Sequence, residues 1–198
     1  MKTYTISKKT APFAWENVPA LGIDVPLWGT DTSVTAQAQL CYDDKALYVR
    51  LSAVEDNIRA EETGPLGEPS DDSCLEFFFS PDPEDARYFN VEFNPNGCVY
   101  LGFGSDRYNL LRLIPETQSI FPEIQRTADG WELKYSIPYA FIRQFFPTFN
   151  PVSGGTMHAN FYKCGDLKPQ RHYLCWNRIE QEKPDYHLRQ FFGTLIFE

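Results

Sequence analysis

Apolar and polar residues alternate with period two along most of this chain, the pattern of half-buried strands. Over residues 46–54, Leu47, Val49, Leu51 and Ala53 fall on one side and Tyr48, Arg50 and Ser52 on the other. The segment 34–42 precedes it across the turn Asp43-Asp44-Lys45, so the two predict a hairpin with one apolar face. In 74–80, Leu75, Phe77 and Phe79 oppose Cys74, Glu76 and Phe78; in 88–94, Phe89, Val91 and Phe93 oppose Tyr88, Asn90, Glu92 and Asn94. Pro95-Asn96-Gly97 turns the chain back into 98–103, because Asn and Gly tolerate positive φ. Residues 124–127 and 131–138 form a further hairpin about Asp129-Gly130. Segments 156–163, 172–177 and 193–197 complete the strands. Only 139–146 carries apolar residues at helical spacing, with Phe141, Ile142, Phe145 and Phe146.

About ten strands and one short helix, without alternating strand–helix units, predict two packed antiparallel sheets. The expected fold is an all-β, jelly-roll or immunoglobulin-like antiparallel β-sandwich. No composition break marks a linker, so residues 1–198 read as one domain.

Composition narrows the partners. The chain has 18 Lys+Arg against 27 Asp+Glu, a formal net charge of −9. Nucleic-acid binding needs clustered cations to neutralise phosphates, and an anionic membrane surface needs the same, so neither is expected. No apolar run approaches the ~20 residues of a spanning helix. The first nine residues carry charges with no apolar stretch behind them, which predicts no signal peptide and points to the cytoplasm. The five cysteines, Cys41, Cys74, Cys98, Cys164 and Cys175, are odd in number and widely spaced. They read as buried thiols rather than a disulfide framework or a zinc motif.

The candidate chemistry lies opposite the apolar faces. If strands 46–54, 74–80 and 88–94 are neighbours, one outer wall collects Arg50, Glu76, Tyr88, Asn90 and Glu92. Aromatic rings stack on the C–H face of a sugar, and carboxylate, amide and guanidinium groups pair with its hydroxyls. The bland alternative is a cross-strand ion pair between Glu76 and Arg50, with Tyr88 covering backbone.

The segments "LCYDDKALYVRLSAVED", "DDSCLEFFFSP", "YFNVEFNPNGCVYLGFG" and "WNRIEQEKPDYHLRQFFGTLIF" together resemble the family 9 carbohydrate-binding modules and their DOMON-type relatives. The similarity runs roughly from residue 36 to 197. Its most specific piece is the acidic pair before "LEFFF", followed by "FNVEFNPNG". The resemblance implies a β-sandwich that binds saccharide without cleaving it, often attached to a glycoside hydrolase and sometimes carrying calcium. Residue by residue it implies ligand-binding roles for Glu76, Tyr88 and Asn90. Of two clamping tryptophans, Trp176 matches one by position, and Gly67-Glu68-Pro69-Ser70 stands where the other would be. The expected set is therefore Arg50, Glu76 and Asn90 on hydroxyls, with Tyr88 and Trp176 stacking on the ring, and a mono- or oligosaccharide as partner.

Glu76 and Glu92 share a face, which keeps a small glycoside hydrolase as the alternative. The missing clamp aromatic keeps a third: a related sandwich that has lost sugar binding and serves as an interaction domain. His158, His172 and His187 show no metal-ligand spacing, and no GxSxG occurs. Met157, the only internal methionine, alternates with Ala159 and Phe161 as core, which argues against haem. No cofactor is required. Calcium is possible on loop carboxylates, with Asp56 and Asp71 as candidates. Trp131 alternates with core residues, whereas Trp28, after Pro26-Leu27, suits a loop rim.

Overall fold

The computed structural model describes residues 1–114, 120–167, 169 and 171–198. Its strands are β1 (Thr3–Lys8), β2 (Leu21–Ile23), β3 (Val25–Pro26), β4 (Thr35–Tyr42), β5 (Ala46–Val54), β6 (Cys74–Ser80) and β7 (Tyr88–Phe93), then β8 (Val99–Gly104), β9 (Leu110–Leu113), β10 (Glu123–Arg126), β11 (Gly130–Pro138), β12 (Thr156–Gly165), β13 (His172–Cys175) and β14 (Gly193–Phe197). One helical turn, α1 (Tyr139–Ile142), follows β11. The described residues thus form 14 strands rather than the roughly ten that alternation alone picks out.

Two layers result. The first runs β9-β8-β7-β6-β12-β14, with β13 beside the C-terminal half of β12 and β3 beside β13. The second runs β10-β11-β5-β4, with β2 on the N-terminal half of β4. β1 joins them: Thr3–Ile6 pairs with β14, and Ser7 and Lys8 pair with Cys41 and Tyr42 of β4. Both pairings of β1 are parallel, which corrects the all-antiparallel expectation. The first strand alternates like the others, with Tyr4 and Ile6 inward. Its partners are the last strand and β4, nearly 30 residues further on, which no local signal can name.

The core lies between the layers, and the alternation places it correctly. Leu75, Phe77 and Phe79 of β6 and Phe89, Val91 and Phe93 of β7 face Leu47, Val49 and Leu51 of β5 and Trp131, Leu133 and Ile137 of β11. Phe77 stacks on Phe79 at 4.8 Å and on Phe161 at 4.6 Å. Phe145, just beyond α1, packs on Phe103 at 4.5 Å and closes one end. All five cysteines are free and buried.

The pairings correct the assumption of one common wall. β5 lies in the second layer and β6 and β7 in the first, so Arg50 stands on the opposite outside of the sandwich from Glu76 and Asn90. There Arg50 pairs with Glu132 at 2.5 Å and donates to Gln39 Oε1 at 3.2 Å.

A second apolar cluster covers part of the first layer's outer face. Phe78, Tyr88 and Tyr162 from the strands meet Leu27, Ile179 and Phe192 from the segments around them. This cover decides which outward side chains stay accessible.

Candidate functional site

The outward positions of β6 and β7 are fixed by register. Glu76 pairs with Glu92 on one side and with Tyr162 on the other, and Phe78 pairs with Asn90. Of these, Glu76, Phe78 and Glu92 floor a cleft of about 330 Å³ on the first layer's outer face. Trp28, Tyr173, Tyr186 and His187 form its aromatic walls. Arg107, Arg171, Asp166 and Asp185 stand at the rim.

The walls come from segments distant in sequence. Trp28 and Gly29 both take positive φ, 51° and 74°, and this turn swings the indole over the sheet. Trp28 donates Nε1–H to the Gln181 carbonyl at 2.8 Å and meets Tyr173 and Tyr186 at 5.3 and 5.4 Å. Tyr186 stacks on Tyr162 at 4.0 Å and 9°. Such rings are amphipathic, and their partners leave little rotamer freedom to lose on binding.

The floor is electrostatically unusual. Burial, with Cys164 and Glu92 close by, holds the Glu76 carboxyl well above the usual carboxylate range. Burial raises Glu92 to about 7, partly offset by a 2.7 Å hydrogen bond from Asn90 Nδ2. Burial raises Asp166 as well and lowers His187 to about 4. A neutral carboxyl both donates and accepts, which matches a hydroxyl better than a carboxylate does.

The Glu92 shift fixes a pH dependence. Its folded value lies above its ordinary value near 4.5, so its contribution to stability is whole below that and lost as pH rises to about 7. Glu92→Gln keeps the acceptor for Asn90 and removes the titration. It is expected to gain about 3 kcal/mol over the natural chain near pH 8 and little below pH 4.5. Urea melts at the two pH values check this; an equal effect at both would show that Glu92 is not held protonated.

The expected site residues separate. Glu76 lines the cleft. Asn90 is 0% exposed and sits behind Glu92, where it orients that carboxyl; Gly102 opposite leaves room for it, since a Cβ there would collide with Asn90 Oδ1. Tyr88 is also 0% exposed, beneath Phe192 and hydrogen-bonded at 2.8 Å to His187 Nδ1. It supports the wall and offers no stacking face. Trp176 points the other way, into the core, edge-on to Phe161 at 5.9 Å. Arg50 belongs to the far layer.

Asp56 is exposed after β5, and Asp71 lies in the 3₁₀ turn Pro69–Asp71. Neither joins the close-set group of ligand atoms that the described residues form. The next residue, Asp72, is consumed by structure: its Oδ2 accepts from the Glu61 and Glu62 amides and from Asn94 Nδ2 at 2.8–2.9 Å. Sequence reasoning missed Arg107, Arg171, Tyr186 and His187, whose segments give no periodic signal, and Tyr173, whose strand alternates without showing which face is covered. Trp28, expected on a loop rim after Pro26-Leu27, does line the cleft.

A rigid strand-built floor under an aromatic-walled recess defines a binding β-sandwich. The chain belongs to carbohydrate-binding family 9, whose sequence profile matches residues 11–197, and its function is non-catalytic carbohydrate binding. Among solved structures, it is similar to a protein of Bacteroides uniformis ATCC 8492 provisionally assigned as carbohydrate-binding (26% identity, TM-score 0.84, covering 100% of this chain and 99% of that one). Two structures of a family 9 carbohydrate-binding module from Caldicellulosiruptor kristjanssonii share the fold at 14% identity and TM-score 0.69. One is in complex with glucose and the other with cellotriose; each aligns over 100% of this chain and over 96% and 94% of their own. A comparison with curated proteins gives no match.

Proposed function

We propose that the cleft on the first layer holds a mono- or short oligosaccharide. The observation that carries this is the buried carboxyl pair Glu76 and Glu92 at the foot of an aromatic wall. Glu76 and Glu92 exchange hydrogen bonds with ring hydroxyls. Arg107 and Arg171 reach adjacent hydroxyls from the rim as forked donors. Trp28 and Tyr186 offer faces to the C–H side of the ring. A cleft of about 330 Å³ is at the small end of ligand sites and suits a chain end better than a polymer groove. The glucose and cellotriose complexes of the Caldicellulosiruptor kristjanssonii module support the ligand class. Under this reading the chain serves carbohydrate breakdown by holding a saccharide for an enzyme that cuts it.

Glycoside cleavage is less well supported. It needs one acid and one ionised carboxylate with values pushed apart, whereas burial raises both carboxyls here.

Isothermal titration against glucose, cellobiose, cellotriose and a wider sugar panel tests the proposal. Glu76→Gln and Trp28→Ala are each expected to weaken binding at least about tenfold, or ~1.4 kcal/mol. Arg50→Ala, on the far layer, is expected to leave affinity unchanged. Heat with a sugar that survives both cleft variants would move the site elsewhere. No heat with any sugar would remove the function.

A further inference from the structure

At the foot of the cleft, Glu76 of the proposed sugar site meets two thiols that sugar binding does not use. Cys74 of β6 and Cys164 of β12 are directly paired across the antiparallel ladder, so their side chains share the outer face. Glu76 lies two residues along β6 and therefore on that same face. The two Sγ atoms and a Glu76 oxygen all lie within 4.8 Å of one another, and all three residues are buried. Cys164 Sγ and Glu76 Oε1 are 3.0 Å apart.

We infer that Cys74, Cys164 and Glu76 form a site for a thiophilic divalent cation of the zinc class. Tetrahedral zinc takes thiolates at about 2.3 Å and a carboxylate oxygen at about 2.0–2.2 Å. Those lengths put donor atoms roughly 3.5–3.8 Å apart, reachable from the present spacing by small side-chain rotations. The three donors leave one position open. Glu76 and Cys164 line the cleft, so that position faces it and takes water. Two thiolates select zinc or cadmium over calcium or magnesium, which prefer all-oxygen shells. Binding releases the thiol and carboxyl protons to solvent.

The surroundings favour a cation. Glu92 is paired directly with Glu76 across β6 and β7, and Asp166 lines the same cleft, so the triangle sits among further carboxyls. Asp166, two residues past Cys164, keeps Oδ1 buried without a hydrogen-bond donor among the described residues. A dication in the triangle neutralises this cluster and lets both thiols ionise. The site is distinct from the loop carboxylates Asp56 and Asp71, and it stands whether or not the cleft takes a saccharide.

Cadmium chloride added to the reduced, metal-free full chain tests it. The expected result is a thiolate-to-cadmium charge-transfer band in the near ultraviolet that saturates at one ion per chain and is displaced by zinc but not by excess calcium. Cys74→Ser and Cys164→Ser are each expected to reduce the band strongly, and the double variant to abolish it. Cys98→Ser is expected to leave it intact, since that thiol faces the Gly64 carbonyl in a separate loop. Glu76→Gln preserves both thiols and is expected to weaken cadmium at least about tenfold without losing the band. Absence of a saturable band in the natural chain overturns the site. So does a band that persists in the double variant, or cadmium affinity unmoved by Glu76→Gln, a variant that keeps side-chain volume.

Discussion

Glu55→Ala is expected to cost about 3–5 kcal/mol of folding stability, among the largest effects of any single change in this chain. Glu55 sits at the end of the core, where its carboxylate gathers donors from three elements of the chain. Lys163 Nζ lies at 3.2 Å, Trp131 donates Nε1–H at 2.7 Å, and Ser73 donates its hydroxyl at 3.1 Å. Lys163 is 0% exposed and also meets His172 Nε2 at 2.9 Å. Truncating Glu55 takes the carboxylate away from a buried ammonium, which keeps the Cys164 carbonyl at 2.9 Å and His172, and from an indole N–H, so part of the desolvation penalty loses its compensation. Domains of this size are stable by only about 5–15 kcal/mol, so the loss is a large share. Glu55→Gln keeps the shape and the oxygen acceptor, and is expected to lose less. Urea unfolding with an unchanged slope checks both. A loss below about 1 kcal/mol for Glu55→Ala would mean that the lysine is held without it.

Trp176→Ala is expected to destabilise by about 3–5 kcal/mol, whereas Trp176→Phe leaves saccharide affinity unchanged. The indole is 3% exposed, wedged between the layers against Phe161 and the backbone of Gly193. A Cβ on Gly193 would stand 2.5 Å from Trp176 Cζ3, so glycine is what admits the ring there. Removing the indole leaves a cavity that a sheet interior relaxes into only partly. The melting temperature should fall by roughly 10 °C. The phenylalanine variant separates packing from stacking. Trp176 faces away from the cleft, so titration with a bound sugar should give the same affinity in Trp176→Phe. A tenfold weakening there would place Trp176 in the binding site after all.

Trp131 and Trp176 both end in the core, but only the first was legible there. Trp131 alternates with Leu133, Tyr135 and Ile137, and it is core. Trp176 alternates equally well with either face of 172–177, and only the packing of β13 between β12 and β3 chose the inner one. The faces of β6 and β7 were equally legible, because a period of two divides a strand's side chains without reference to partners. Arg50 shows where that reasoning ends. Its alternation is correct, yet periodicity says which side of its own sheet a residue takes and nothing about which sheet that is.

Local alternation and turn chemistry thus determined that this chain is a β-sandwich, which residues fill its core, and that Glu76 and Glu92 share an outward face. Tertiary structure alone decided that β1 binds the sheets together in parallel, that Tyr88 and Asn90 lie covered while Trp28, Tyr186 and His187 wall the cleft, and that Arg50 stands on the far side. The reason is physical. Side-chain direction within a strand is set by bonds between neighbours, but accessibility is set by whichever distant loop folds over it, and 25–30 and 177–192 reach the sheet only once the whole chain has closed.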